Sequence, residues 1–199
     1  FSIRLARPSF YRTEWRRHRG AVSSLWEVTP EAVWSSGAYN LLSAGGCGVR
    51  RQFNREIALA HAAGPSGGAA ATIPQRFFKW KWGDHEERFD DVVSSTTRQA
   101  DEKVGNINCY VFTTGAEGRT NTLWIGKQDF LIRRVQTVIS KESMQAMTAG
   151  LLKNQDPERI RALHGFTFTE THTNIVLNPQ FSRSDFTPSF TLFGSSYED

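Results

Sequence analysis

The chain has 199 residues, the size of one β-rich domain, since such domains commonly run to about 200–250 residues. Aromatic residues make up 12% of it, with 14 Phe and 6 Trp, which favours strands and a broad apolar surface over a helical bundle. The net charge is +4, and no run of about 18 apolar residues provides a membrane-spanning helix.

Residues 1–6 alternate Phe1, Ile3 and Leu5 with Ser2, Arg4 and Ala6, which predicts a strand. Pro8 ends it, because proline has no N–H for a ladder. Residues 10–17 predict the next strand, with Arg12, Glu14 and Arg16 on one face and Tyr11, Thr13 and Trp15 on the other. Arg4, Arg7, Arg12, Arg16, Arg17, His18 and Arg19 crowd this end of the chain. A basic cluster can serve nucleic acid or anionic lipid, but the period-2 alternation accounts for these positions as a solvated strand face. Further strands are expected at 21–28, with Val22, Ser24 and Trp26 on one face, and at 32–36 and 39–43 around Gly37.

The texture then changes. Residues 44–53, with Gly45, Gly46 and Gly48, read as loop. Asn54 suits the N-cap of a short helix at 55–63, Ser66 caps a second turn through Ala71, and Pro74 opens a third at 73–78. This block reads as a cover laid across the sheet. Residues 78–82 are aromatic and ambiguous, and 83–91 are polar loop. A strand at 92–99 restores the sheet.

A three-strand meander follows, with strands at 109–114, 120–125 and 130–140 separated by turns at 115–118 and 126–129. Such a meander needs a larger sheet and a cover. Its last strand carries apolar residues on both faces, Phe130, Ile132 and Val138 against Leu131, Val135 and Ile139, which predicts a mid-sheet position. A helix is expected at 141–154, N-capped by Ser140, with Met144, Met147, Leu151 and Leu152 on one face. Residues 157–163 add a helical turn. A long final strand at 166–177 sets Thr167, Thr169, Thr171 and Thr173 on a solvent face against Phe166, Phe168, Glu170 and His172 on an inner one. The tail, 180–199, carries Phe181, Phe186, Phe190 and Phe193 without periodicity.

Catalytic signals are weak. Gly64-Pro65-Ser66-Gly67-Gly68 has the G-x-S-x-G pattern of a serine nucleophile, but that turn needs a strand before the serine, and a helix precedes it here. A hydrolase using Ser66 is therefore the least favoured reading. His18, His61, His85, His164 and His172 lack metal-ligand spacing, so no metal site and no catalytic residue is expected. Glu170 and His172 share a strand face and can pair as acid and base, although a polar rim or a buried hydrogen-bonded pair is favoured. Asp84, His85, Glu86 and Glu87 with Asp90 and Asp91 read as a solvated loop. Cys47 and Cys109 permit one disulfide without requiring it, and Cys109 reads as a small buried residue. No phosphate loop or dinucleotide fingerprint is present, so no cofactor is expected, and the cations and aromatics are not interleaved for nucleic acid. The apolar surplus suits a concave sheet whose interior a ligand can share.

In order along the chain stand Arg7-Pro8, Tyr11-Arg12-Thr13-Glu14-Trp15, Val33-Trp34-Ser35-Ser36-Gly37, Thr72-Ile73-Pro74 with Phe77-Phe78, and Asn108-Cys109-Tyr110-Val111. They are followed by Leu123-Trp124-Ile125-Gly126-Lys127-Gln128-Asp129-Phe130-Leu131-Ile132-Arg133, then Glu170-Thr171-His172-Thr173-Asn174-Ile175 with Asn178-Pro179, and Phe186-Thr187-Pro188. With these motifs the chain resembles the LolA/LolB-like periplasmic lipoprotein-carrier superfamily, and more closely an uncharacterised predicted periplasmic branch of it. The resemblance implies an α+β fold: a strongly curved antiparallel sheet, an incomplete barrel, with helices covering its concave face. It implies a single domain over 1–199 that lacks the family's N-terminal helix and first strand. It implies a periplasmic or other extracytoplasmic location, and a monomeric, non-enzymatic binder or carrier of a lipid or acylated protein, with peripheral membrane contact or none. The cavity lining it implies is Trp26, Trp34, Phe78, Tyr110, Phe112, Trp124, Phe166 and Phe168. The alternative is a protein-interaction or envelope-stress sensing module on the same fold, with an envelope protein as partner.

Overall fold

A computed structural model of the chain describes residues 1–16, 30–36, 40–44, 48–52, 55–63, 66, 68–78, 96–116, 118–151 and 157–187. The expected strand at 21–28, the cap Asn54, the acidic loop at 84–91, and Trp26 and Cys47 lie outside these residues. The fold is α+β: the described residues form two five-stranded antiparallel sheets, neither closed into a barrel among them, with short helices. Each sheet is a meander in sequence order. The chain divides into two compact units, Phe1–Glu86 with Asn178–Asp199, and Glu87–Leu177.

The first sheet comprises β1 (Ser2–Ala6), β2 (Phe10–Arg16), β3 (Pro30–Ser36), β4 (Asn40–Ala44) and β5 (Gly48–Gln52). The strand β5 falls in the stretch expected to be loop. Its sequence, Gly-Val-Arg-Arg-Gln, has no apolar alternation, and its pairing with β4 supplies what its side chains do not announce. Two helices cover one face. α1 (Arg55–Ala63) lies over β3, β4 and β5, and α2 (Ala69–Phe78) lies over β1 and β2. The seam is Tyr11, Trp15 and Val33 from the sheet against Ala58, Leu59, Ala62 and Ala70 from the helices, with Leu5 and Phe78 alongside. Alanine on the helices lets the backbones approach the aromatic strands closely.

The two helical turns expected between Ser66 and Phe78 are one helix with Pro74 inside it. Ala70, Pro74 and Phe78 are four apart and so share a face. Ala70 and Pro74 are buried and Phe78 packs edge-on to Tyr11, so the burial of that face offsets the hydrogen bond that Pro74 cannot donate. Ser66 acts as expected at the start. Its Oγ accepts the Ala70 N–H at 3.0 Å and donates to the Ala63 carbonyl at 3.2 Å.

The other face of the first sheet is not solvated as the sequence pattern suggested. Arg12 is buried, donating to the Thr187 carbonyl at 2.7 Å and to Glu14 Oε1 at 2.6 Å. A 3-10 turn, Arg183–Phe186, lies against β2 and β3. Phe186 is buried there, 5.4 Å from Phe10 and 5.1 Å from Phe181 between ring centroids. The returning chain covers cations that local alternation reads as wet. Trp34, cross-strand from Arg12 on this face, is buried.

The second unit holds β6 (Thr97–Val104), β7 (Ile107–Ala116), β8 (Arg119–Gly126), β9 (Ile132–Ile139), α3 (Lys141–Leu151), α4 (Pro157–Arg161) and β10 (Phe166–Thr171). Of the expected strand at 92–99, residues 92–95 lie outside the described residues; β6 takes in 97–99 and continues through the polar stretch to Val104. It is an edge strand exposed at all but its last residue, so no apolar period marks it, and its register shifts between Gln99 and Glu102. The Ser140 cap is present, its Oγ accepting the Ser143 N–H at 3.1 Å. The final strand stops at Thr171 rather than reaching residue 177. Asn174, at φ 53°, is in the left-handed region, which a strand cannot continue through.

Candidate functional site

In an antiparallel sheet, residues directly opposite share a face. The register of β7 to β10 therefore sets Phe112, Leu123, Val135 and Glu170 in one row across the sheet, with Arg98 of β6 at its end. Tyr110 and Phe168 lie on this face by the two-residue period, and Phe166 two residues further. Leu123, Val135, Ile139 and Glu170 are buried on it. Tyr110, Phe112 and Phe168 are half-buried, and Phe166 is exposed. Between Phe112 and Phe168 runs a polar row, in which Thr137 donates to Asn121 at 2.8 Å.

Trp124 belongs to the opposite face. There it joins Val104, Cys109 and Val111 in a small core, donates from Nε1 to Glu102 Oε2 at 2.8 Å, and has the Arg134 guanidinium 5.4 Å from its ring. The structure thus brings Tyr110, Phe112, Phe166 and Phe168 to one sheet face and leaves Trp124 off it. Trp34 and Phe78 lie in the other unit, on opposite faces of its sheet, and Trp26 is outside the described residues. The mid-sheet position expected for the 130–140 segment is found, since β9 lies between β8 and β10, but its two faces differ. Val135 and Ile139 are buried, whereas Val138 is 40% and Phe130 70% exposed.

Cations sit over the β7 aromatics. Arg98 lies 5.1 Å from the Tyr110 ring and 5.6 Å from Phe112, and Lys127 lies 5.1 Å from Tyr110. Both also bond Asp101, whose carboxyl is held below the usual carboxylate range by hydrogen bonds from Lys127 first and Arg98 second. The aromatic side of this face therefore has a cationic border.

The polar end of the same face is the Glu170–His172 pair, and it is the hydrogen-bonded buried pair that the sequence favoured. The side chains are 1% and 8% exposed. His172 Nε2 lies 2.6 Å from Glu170 Oε1, and Nδ1 lies 2.9 Å from the Ile132 carbonyl oxygen. A carbonyl only accepts, so Nδ1 is the donor to Ile132, and Nε2 makes the short contact with the Glu170 carboxyl group. Glu170 Oε2 has no hydrogen-bond partner among the described residues. The backbone assists, since the His172 N–H donates to the Arg133 carbonyl at 2.9 Å.

Cys109 is a free thiol in the core, its pKa raised by burial, and the other half of the disulfide permitted by the sequence, Cys47, lies outside the described residues. Among the described residues no group of three or more His, Cys, Asp or Glu is placed to hold a metal, and no helix is long and apolar enough to cross a membrane.

Fold and face together describe an α+β protein with two open meander sheets, one of them carrying an aromatic row. Compared with known proteins, the chain matches no family model, no curated protein and no solved structure.

Proposed function

We propose that the chain is a non-enzymatic extracytoplasmic binder of a lipid, or of the acyl group of an acylated protein, on a curved half-barrel whose concave face is covered by helices. The observation that carries this reading is the apolar content of one face of β7 to β10, where Tyr110, Phe112 and Phe168 are half-buried and Phe166 is exposed beside buried Leu123 and Val135. Apolar surface left half-open by folding is available to an acyl chain, and each methylene buried there is worth about 0.8 kcal/mol. Helices α1 and α2 packed on one face of the first sheet, whose strands run in sequential order, are in keeping with a helix-covered open sheet. The compartment and the class of cargo in this reading rest on the resemblance of the sequence motifs to the LolA/LolB-like carriers.

The test is titration of the full chain with a long-chain fatty acid and with a lysophospholipid, read by native mass spectrometry and calorimetry. Micromolar binding that falls about tenfold or more in Phe112→Ser and in Phe168→Ser supports the reading. No binding of either lipid, or binding indifferent to both substitutions, overturns it. The protein-interaction reading draws on Ile175, Val176 and Leu177, three consecutive exposed apolar residues, with Val176 at 72%. Substituting all three with Ser separates the readings, because lipid binding should persist while capture of a protein partner is lost.

A further inference from the structure

Four strands border the two sheets, and three of them carry charges that discourage a further strand. β1 has Arg4, β5 has Arg50 and Arg51, and β6 has Arg98, Asp101, Glu102 and Lys103 together with its register shift. β10 is different. Its sequence is Phe-Thr-Phe-Thr-Glu-Thr, with no lysine, arginine or proline and an unbroken register against β9. Its single charge, Glu170, is already buried and bonded to His172, so it does not oppose an approaching strand.

The hydrogen-bond alternation says which groups are on offer. The His172 N–H donates to Arg133, so the backbones of Phe166, Phe168 and Glu170 also point at β9. Those of Thr167, Thr169 and Thr171 point outward, and among the described residues nothing pairs with them. All three threonine side chains are exposed as well.

We propose that β10 is a self-association edge, on which a second copy of this chain adds its own β10 antiparallel about a two-fold axis through Thr169. Each outward-pointing residue then meets another. Thr169 faces its own copy, and Thr167 faces Thr171 of the partner subunit, each pair exchanging both N–H···O bonds. Threonine opposite threonine is a favourable cross-strand pair, and no like charges meet. The residues are self-complementary, which an arbitrary peptide strand would not match, and this is why a second copy is the expected occupant. The sequence reading takes the chain as a monomer, and this edge points the other way.

Sedimentation velocity of the full chain over a concentration series tests it, with a reversible monomer–dimer equilibrium expected. Thr169→Pro removes an outward N–H without touching the β9 ladder, and Thr167→Lys places charge at the edge. Each should raise the dimer dissociation constant by about tenfold or more. In a Cys47→Ala background, Thr169→Cys should cross-link to a covalent dimer under diamide, whereas Thr167→Cys, which faces position 171 of the partner, should not. A monomer at every concentration, a dimer indifferent to both edge variants, or equal cross-linking from both cysteines overturns the proposal. Circular dichroism of each variant shows whether the fold is retained.

Discussion

The sheets β1–β5 and β6–β10 have equal strand numbers and the same sequential antiparallel order, yet they are covered differently. The first carries α1 and α2 on one face and the Arg183–Phe186 turn on the other, so Tyr11, Val33 and Trp34 are fully enclosed. In the second, one face closes over a small core of Val104, Cys109, Val111 and Trp124, and the other leaves Tyr110, Phe112 and Phe168 half-open and Phe166 exposed. Strand composition does not explain the difference, since both sheets are rich in aromatics. What differs, among the described residues, is that helices and returning chain lie on both faces of the first sheet, while the aromatics on one face of the second stay half-open around buried Leu123 and Val135. The covered sheet is therefore read as scaffold and the half-open one as the place where a ligand can sit.

The sharpest way to break this comparison is at the enclosed tryptophan. Trp34→Ala should cost about 3–5 kcal/mol in urea unfolding, whereas Phe166→Ala, at an exposed position of the half-open face, should stay within about 0.5 kcal/mol. Equal losses would remove the distinction between scaffold and binding face. Next comes the buried pair. His172→Ala strands Glu170 without its partner, and a loss of about 3 kcal/mol is expected by the same measurement. A loss below about 1 kcal/mol would show that the carboxyl finds another donor or water. Removing the Ser140 hydroxyl, as Ser140→Ala, should cost about 1 kcal/mol through the unsatisfied Ser143 N–H.

Two smaller effects concern titrating groups. Burial raises the Cys109 thiol, so in a Cys47→Ala background the native protein should react with a thiol reagent at pH 8 far more slowly than the urea-unfolded chain. Equal rates would place Cys109 outside the core. Asp101, by contrast, is exposed, and its carboxyl is depressed by Lys127 and Arg98. A depressed carboxylate stabilises the fold above its unfolded pKa and loses that contribution as pH falls through the lowered value. Asp101→Asn should therefore weaken stability slightly at neutral pH, and not at all at acid pH or in high salt. A variant that destabilises equally at acid pH would mean that the side chain acts by packing rather than by charge.

Much of the local structure was readable from the residues. The turn glycines and β-branched runs of the 107–139 meander place three strands within a residue or two. Residues 55–63 form the helix that was expected, and Ser66 and Ser140 make the expected capping bonds. The failures are instructive in kind. β5 and β6 are polar strands whose stability comes from the neighbour's backbone, so periodicity cannot see them. The final strand was overextended, because the alternation continues past Thr171 although the backbone turns at Asn174. For the candidate site, Glu170 and His172 were found by their two-residue spacing, and four of the eight aromatics share one face. Trp124 was misplaced because it is one residue from Leu123, and a one-residue step crosses the sheet.

The sequence by itself determined the strands whose side chains alternate, the turns, the caps and the Glu170–His172 proximity, because each depends on neighbours within a few residues. Only the tertiary structure decided which faces are covered. Arg12 is a solvated cation by local pattern and a buried one in fact, since residues more than 170 positions away supply its carbonyl partner at Thr187. The same holds for the half-open aromatic face and for the edge of β10, which is unpaired among the described residues. Burial depends on what returns from distant parts of the chain, and no local period encodes that.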